Sequence, residues 1–318
     1  MNSAAFYMRQ GLAKSTIKMY DSAWSKFCSF CTGFSVPVMP ANISMITAFI
    51  VHCFESRKMQ PSSIKACVAG IQFHLRCADP SVCSLLGNPA IRLLFNGLNK
   101  EHPAIKDKRL PLTLPLVHKL VAHLRQGCFG RYLDALLETV FLTAFYGFLR
   151  CGEFTSNSER FDPLHDLSIS DVTVDAHMYS ITLKHSKSDR EGKGVNVIIS
   201  QTKTAFCPLS SMTQYLEKRP LARQDEPLFL TDKGKSMSRS WFTTRLRLLC
   251  KRCGLPPQLY TSHSFRIGAA TSAAPLVPAS TLKVMGRWSS AAYERYIRPG
   301  KEEILLAQRA LSGSNEEI

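Results

Sequence analysis

Tyr260-Thr-Ser-His263-Ser-Phe-Arg266, then Gly286-Arg-Trp288, then Tyr293-Glu-Arg-Tyr296-Ile-Arg298, follow one another in the last fifth of the 318-residue chain. These residues suit phosphodiester chemistry. A tyrosine oxygen attacks phosphorus, a histidine moves its proton, and an arginine fork with an indole N–H holds phosphate oxygens. His263 and Arg266 stand at i, i+3, so a helix start turns both to one side. The run Ile267-Gly-Ala-Ala-Thr-Ser-Ala-Ala274 is built from small residues that let other elements approach closely. Tyr293 and Tyr296 also differ by three and can share one face of a short helix. Taken singly, HxxR is a weak signal, Trp288 reads as core and either tyrosine as packing.

Two stretches upstream carry charge in unusual settings. In Tyr146-Gly-Phe-Leu-Arg150-Cys-Gly-Glu153-Phe154, an arginine follows a very apolar helix, Leu133 to about Phe145. Glu153, three residues on, can orient that guanidinium across one turn. Alone, the pair reads as structural. In Ile181-Thr-Leu183-Lys184-His185-Ser-Lys187, strand alternation places Ile181, Leu183, His185 and Lys187 on one face and Lys184 on the other. Lys187 ends the apolar face where a Gly-rich turn begins, and it can project an ammonium into a cleft; Lys184 and Lys193 are its rivals.

Composition narrows the partner. Forty basic against 24 acidic side chains leave a net charge of +16. Residues 1–105 hold a net +6 and the remainder +10, so the excess is spread over both halves. A polyanion touching both halves, nucleic acid above all, explains this better than a basic tail. No apolar run reaches the roughly 18–20 residues of a membrane span. The N-terminal residues show no basic region followed by an apolar stretch, which predicts no secretory leader. Eleven cysteines, an odd count, read as free thiols of a reducing compartment. Cys28-Ser-Phe-Cys31, with His74 and Cys77, has ligand-like spacing. Yet Trp24, Phe27, Cys28 and Cys31 share one helix face, so core packing accounts for them better than zinc.

Apolar periodicity predicts a small helical domain over residues 1–100. Ser15 or Thr16 is expected to cap its first long helix, Asn42 or Ser44 the second, and Pro61 to open the third. Residues 101–112 are polar, basic and aperiodic, and read as a linker whose Lys106, Lys108 and Arg109 suit a strap along phosphates. Residues 113–318 read as a larger mixed domain: helices, a β-hairpin or three-stranded sheet around 171–199, then helices again. The fold class expected is mainly α with a small antiparallel β-sheet.

The order and spacing of these pieces resemble the tyrosine recombinase (phage integrase) superfamily, over nearly the whole chain. The wording Tyr-Gly-Phe-Leu-Arg-Cys-Gly-Glu, His-Ser-Phe-Arg-Ile-Gly-Ala-Ala-Thr and Gly-Arg-Trp-Ser-Ser looks most similar to recombinases of eukaryotic DIRS-like or Crypton mobile elements. Many family members carry histidine where this chain has Trp288. The Trp-to-Tyr gap is one residue shorter than is common, which keeps Tyr293 beside Tyr296 as a candidate, although Tyr296-Ile-Arg matches better. The resemblance implies a core-binding domain, a linker and a catalytic domain that clamp duplex DNA. It implies a DNA recombinase or integrase working through a 3′-phosphotyrosine at Tyr296. Arg150, Arg266 and Trp288 would hold the phosphate, Lys187 would protonate the leaving 5′-oxygen, and His263 would assist at the tyrosine, with Glu153 in support. No metal or other cofactor is implied. A homo-oligomer, a tetramer on paired sites, is implied, and an intracellular place: nuclear in a eukaryote, otherwise cytoplasmic or at the nucleoid. Two other readings stand beside this one: a domesticated, catalytically silent DNA-binding protein of the same fold, and a type IB topoisomerase, against which the helical N-terminal half argues.

Overall fold

The computed structural model describes residues 3–103, 107–184, 194–220, 225–298, 304–305 and 308–309. The chain divides into two compact units, Met1–Asp107 and Lys108–Ile318. Among the described residues no helix is long and apolar enough to cross a membrane.

The first unit is helical: α1 (Ser3–Gln10), α2 (Lys14–Gly33), α3 (Ile43–Glu55), α4 (Pro61–Ala78) and α5 (Pro89–Glu101). Side-chain chemistry sets several of the starts. Asn42 accepts from the Met45 amide at 2.9 Å, and Asn88 from the Ala90 amide at 3.0 Å. Pro61 and Pro89 open α4 and α5 at positions where no amide is needed. The expected cap of α2 at Ser15 or Thr16 is corrected: α2 begins at Lys14, and Ala13 occupies the cap without a side-chain bond. Phe27, Phe30, Cys31, Ile46, Phe49 and Ile64 meet in the core. His74 stacks on Trp24 with centroids 5.1 Å apart and faces Asp21 at 3.1 Å, which in turn pairs with Arg9. Its imidazole therefore serves packing on Trp24 rather than a group with Cys28 and Cys77.

The second unit contains α6 (Leu114–Arg125), α7 (Arg131–Tyr146), α8 (Cys151–Phe154), β1 (Val172–Val174), β2 (Met178–Leu183), β3 (Val195–Ser200), α9 (Pro208–Lys218), α10 (Arg239–Arg252), α11 (Ser262–Ala273) and α12 (Ala279–Gly286). A 3-10 turn, Ala291–Tyr296, follows α12. Helix α7 runs through the core with Leu136, Leu137, Val140, Phe141 and Leu142 fully buried. The sheet is antiparallel in the order β1-β2-β3, with Ile181 opposite both Val172 and Val197. Tyr179, Ile181 and Leu183 face inward, as alternation requires. Lys184 faces the other way. Its ammonium pairs with Asp171 at 2.7 Å and donates to the Pro163 and Asp166 carbonyls and the Ser168 hydroxyl. That lysine is consumed by structure, which removes one rival of Lys187. Lys187, His185 and Lys193 lie outside the described residues, and so does Lys106.

Residues 108–114 lie along α11. The Leu110 amide donates to the Leu259 carbonyl and the Leu112 amide to the Ser264 carbonyl, both at 2.9 Å. The Leu114 amide donates to Ser272 Oγ at 3.2 Å. The aperiodic stretch 101–112 thus begins on the last residue of α5 and ends packed in the second unit, with Leu112 fully buried. The approach is possible because Gly268 faces Leu112. A Cβ there would stand 1.7 Å from the Leu112 carbonyl oxygen.

Gly268→Ala forces that backbone apart, and overpacking of this kind costs about 1–3 kcal/mol. Urea unfolding should show a lower midpoint with an unchanged slope. Parental stability in the alanine variant would mean that residues 108–114 do not press on α11.

Candidate active site

Helix α11 starts in a reciprocal cap. Thr261 Oγ1 accepts from the His263 amide at 3.3 Å, and Ser264 Oγ accepts from the Thr261 amide at 3.0 Å. This fixes the first turn and with it His263 and Arg266. Arg266 is 0 % exposed, the largest fully buried side chain described. It donates through one terminal nitrogen to the Phe148 carbonyl and through the other to the Gly286 carbonyl. Two corners of the chain, before Arg150 and before Trp288, are therefore tied to α11 by one guanidinium.

Both corners have unusual backbone. Phe148 has φ +49° and Arg287 φ +54°, each a bulky residue in the left-handed region. Such a residue costs on the order of 1–3 kcal/mol and persists only where its surroundings fix it. Here the surroundings are hydrogen bonds. The Phe148 carbonyl also accepts from Arg287 at 3.2 Å, and the Gly147 carbonyl accepts from Arg287 at 2.9 Å. Gly286 permits the second corner, since a Cβ there would stand 1.8 Å from the Trp288 ring.

A single buried carboxylate links the cations. Glu153 Oε1 pairs with Arg150 at 2.9 Å, while Oε2 pairs with Arg287 at 2.8 Å and accepts from the Arg150 amide at 2.8 Å. Burial, then the charges of Arg150 and Arg287, push the Arg266 guanidinium down to about 10, with Glu153 opposing. It remains protonated at neutral pH. Arg287 is also held below the usual arginine range, chiefly by burial, with Glu153 pulling the other way. The like charges of Arg150 and Arg287 act on Arg266 more strongly than Glu153 and Tyr296, which oppose them, and such a surplus suits a further anion.

Aromatic rings complete the arrangement. The Arg266 guanidinium lies 4.5 Å from the Trp288 ring centre and 5.5 Å from that of Tyr296. The Tyr296 ring is 5.1 Å from Trp288 and 5.2 Å from His263. Tyr293 touches Trp288 at 6.2 Å but has Lys283 over its ring. Arg266 Nε, Arg287 Nε and Trp288 Nε1 are buried and have no acceptor among the described residues. They are three of the six such atoms described, and all three belong to this cluster.

The structure thus brings together Arg150, Glu153, His263, Arg266, Trp288 and Tyr296. Lys108 is exposed and Arg109 half-buried on the segment along α11, where the Arg109 carbonyl accepts from the Arg298 guanidinium. Arg287 is the residue that sequence reasoning missed. Between Gly286 and Trp288 it reads as a surface arginine after a helix. Only the left-handed backbone turns it inward, and that conformation has no glycine to signal it.

The architecture, a helical unit with a larger unit carrying a three-stranded antiparallel sheet, is the tyrosine recombinase core-binding and catalytic fold. The chain resembles the XerH site-specific recombinase bound to palindromic difH substrate, with TM-score 0.58, 15% identity, and 86% of this chain and 70% of that one covered. A lambda integrase dimer bound to a COC′ core site gives TM-score 0.55 at 15% identity over 92% and 75%. The Tn1549 transposon integrase with circular intermediate DNA gives 0.53 at 14% identity over 86% and 87%. In sequence, the chain is 22% identical over 275 residues to an integrase/recombinase xerD homolog of Selenomonas ruminantium, covering 84% of this chain and 76% of that protein. No protein-family model matches. These likenesses show the fold.

Glu153→Ala leaves Arg287 buried without its counter-charge, a change that costs about 3–5 kcal/mol. Glu153→Gln keeps an acceptor and should fall between the variant and the parent. Chemical denaturation measures both, and a loss under about 1 kcal/mol would be too small for a bridging carboxylate.

Proposed function

We propose that the protein is a site-specific DNA recombinase or integrase that cuts and rejoins DNA through a covalent 3′-phosphotyrosine at Tyr296. The observation that carries this reading is the placement of the Tyr296 ring against His263, Arg266 and Trp288, beside three buried donors without acceptors. The phenol oxygen attacks the scissile phosphorus, and His263 assists removal of its proton. Arg150 and Arg266 donate to the non-bridging oxygens, where charge concentrates in the transition state, and Trp288 adds its N–H. The P–O5′ bond breaks, and Lys187 supplies the proton to the leaving 5′-oxygen. The tyrosyl ester conserves the bond, so a 5′-hydroxyl from a partner strand reverses the step. In the described conformation Arg266 lies beneath the Tyr296 and Trp288 rings, so the Tyr296 ring must turn aside before a phosphate reaches it.

Duplex DNA is the substrate this reading requires, and a net charge of +16 spread over both halves suits it. Residues 1–100 act as the core-binding domain, 101–112 as the linker and 113–318 as the catalytic domain. Lys106, Lys108 and Arg109 meet phosphates and carry no sequence information. Strand exchange takes four copies on paired sites, and the sequence wording points to a mobile element of the DIRS-like or Crypton kind.

Two measurements test the chemistry. Tyr296→Phe should abolish a denaturant-stable protein–DNA adduct on a nicked duplex library of randomised sequence and leave DNA binding nearly intact. If Tyr293→Phe removes the adduct and Tyr296→Phe does not, the nucleophile is misassigned by three residues. Lys187→Ala should slow cleavage by about 10²–10⁴-fold, as loss of a proton donor does. A 5′-bridging phosphorothiolate, whose leaving group needs no proton, should recover much of that rate. Equal loss on both substrates would make Lys187 a binding residue.

A further inference from the structure

Thr271 lies five residues beyond Arg266 on α11 and is 5 % exposed. Helical threonines ordinarily return the hydroxyl to the carbonyl four residues back. Thr213, Thr243 and Thr244 do so, at 3.1, 2.8 and 3.0 Å. Thr271 does not. Its hydroxyl donates to the Tyr296 carbonyl at 3.0 Å and accepts from the Arg298 amide at 3.1 Å. One side chain closes bonds to the backbone on both sides of Ile297.

The segment it grips is held by the packing of the Tyr293, Tyr296 and Ile297 side chains on the core and by few backbone ties to other elements. The 3-10 turn Ala291–Tyr296 has no buried residue, and Ala291, Ala292, Glu294 and Arg295 are exposed. Its start is held by Ser290 Oγ, which accepts from the Ala292 amide at 3.3 Å. Its far end is tied by Thr271 and by the Arg298 guanidinium on the Arg109 carbonyl. Helix α11, by contrast, is buried from Ser264 to Thr271 and carries both His263 and Arg266.

We propose that Thr271 is a positioning residue for the reaction: it fixes the backbone of Tyr296 to the helix that carries His263 and Arg266. The inference rests on the reading of Tyr296 as nucleophile. With that pivot fixed, the Tyr296 ring can leave Arg266 by rotation about its side-chain bonds while its Cα keeps register with the phosphate-holding arginine. Loss of the hydroxyl frees the pivot, and a displacement near 1 Å costs on the order of 10²-fold in rate.

The test compares Thr271→Val, which keeps the shape and removes the hydroxyl, with Thr271→Ser, which keeps the hydroxyl. Adduct formation by the full chain on the nicked randomised library is followed in single turnover at saturating protein, with binding to the same library measured by anisotropy. The valine variant should form adduct slower by on the order of 10²-fold with unchanged affinity. The serine variant should stay near the parent. Hydrogen exchange at the Arg298 amide should quicken in the valine variant alone, a readout that needs no activity. Parental rate and exchange in Thr271→Val would overturn the inference, as would a serine variant as slow as the valine one. An adduct that survives Tyr296→Phe would instead remove the proposed nucleophile, and this inference with it.

Discussion

The arrangement around Tyr296 depends on one buried carboxylate. Glu153 faces Arg150 with one oxygen and Arg287 with the other, and Arg266 lies close enough to feel all three charges. Without an anion among them, buried guanidiniums repel and pull toward water. With one, two cations are held in fixed directions, and the third keeps a surplus of like charge beside it. Under the proposed function, a phosphate would find this surplus of positive charge once the Tyr296 ring has turned aside.

The carboxylate alone would not aim them. The corners at Phe148 and Arg287 are both left-handed without glycine, and both are held by arginines donating to carbonyls. Strain and hydrogen bonding are coupled here. The left-handed turn at Arg287 brings its side chain inward, where it donates to the Gly147 and Phe148 carbonyls. Those bonds in turn keep the Phe148 corner, from which the chain enters Arg150 and α8. Gly286 supplies room for Trp288 to fold back.

Much of this was legible in the chain. The i, i+3 spacing of Glu153 paired it with Arg150, and that of HxxR put His263 and Arg266 on the first turns of one helix. The alternation around Ile181 turned Ile181 and Leu183 inward and Lys184 away, as β2 shows, while His185 and Lys187 of the same expected face lie outside the described residues. What was illegible has a common cause: it depends on contacts between segments far apart in sequence. Arg287 meets Glu153 across 134 positions. Residues 108–112 read as an unperiodic linker, because an irregular segment that bonds to backbone just before and just within the start of α11 has no period of its own. Lys184 and Lys187 stand three positions apart in sequence. Only the positions of Asp171 and Ser168 show that the first is spent on structure.

Residues 108–112 and α11 are joined more closely than their composition suggests. Leu112 presses on Gly268, and Leu110 and Leu112 donate to backbone just before and just within α11. The Arg109 carbonyl holds the Arg298 guanidinium, two residues past Tyr296. A force on residues 108–112 is therefore felt both by the helix that carries His263 and Arg266 and by the turn that carries Tyr296. Hydrogen bonds and close packing transmit such a displacement because neither has slack to absorb it. The same basic residues that suit phosphate contact, Lys108 and Arg109, sit on that segment. Under the proposed function, binding a duplex and setting the tyrosine's register would then be one mechanical event rather than two.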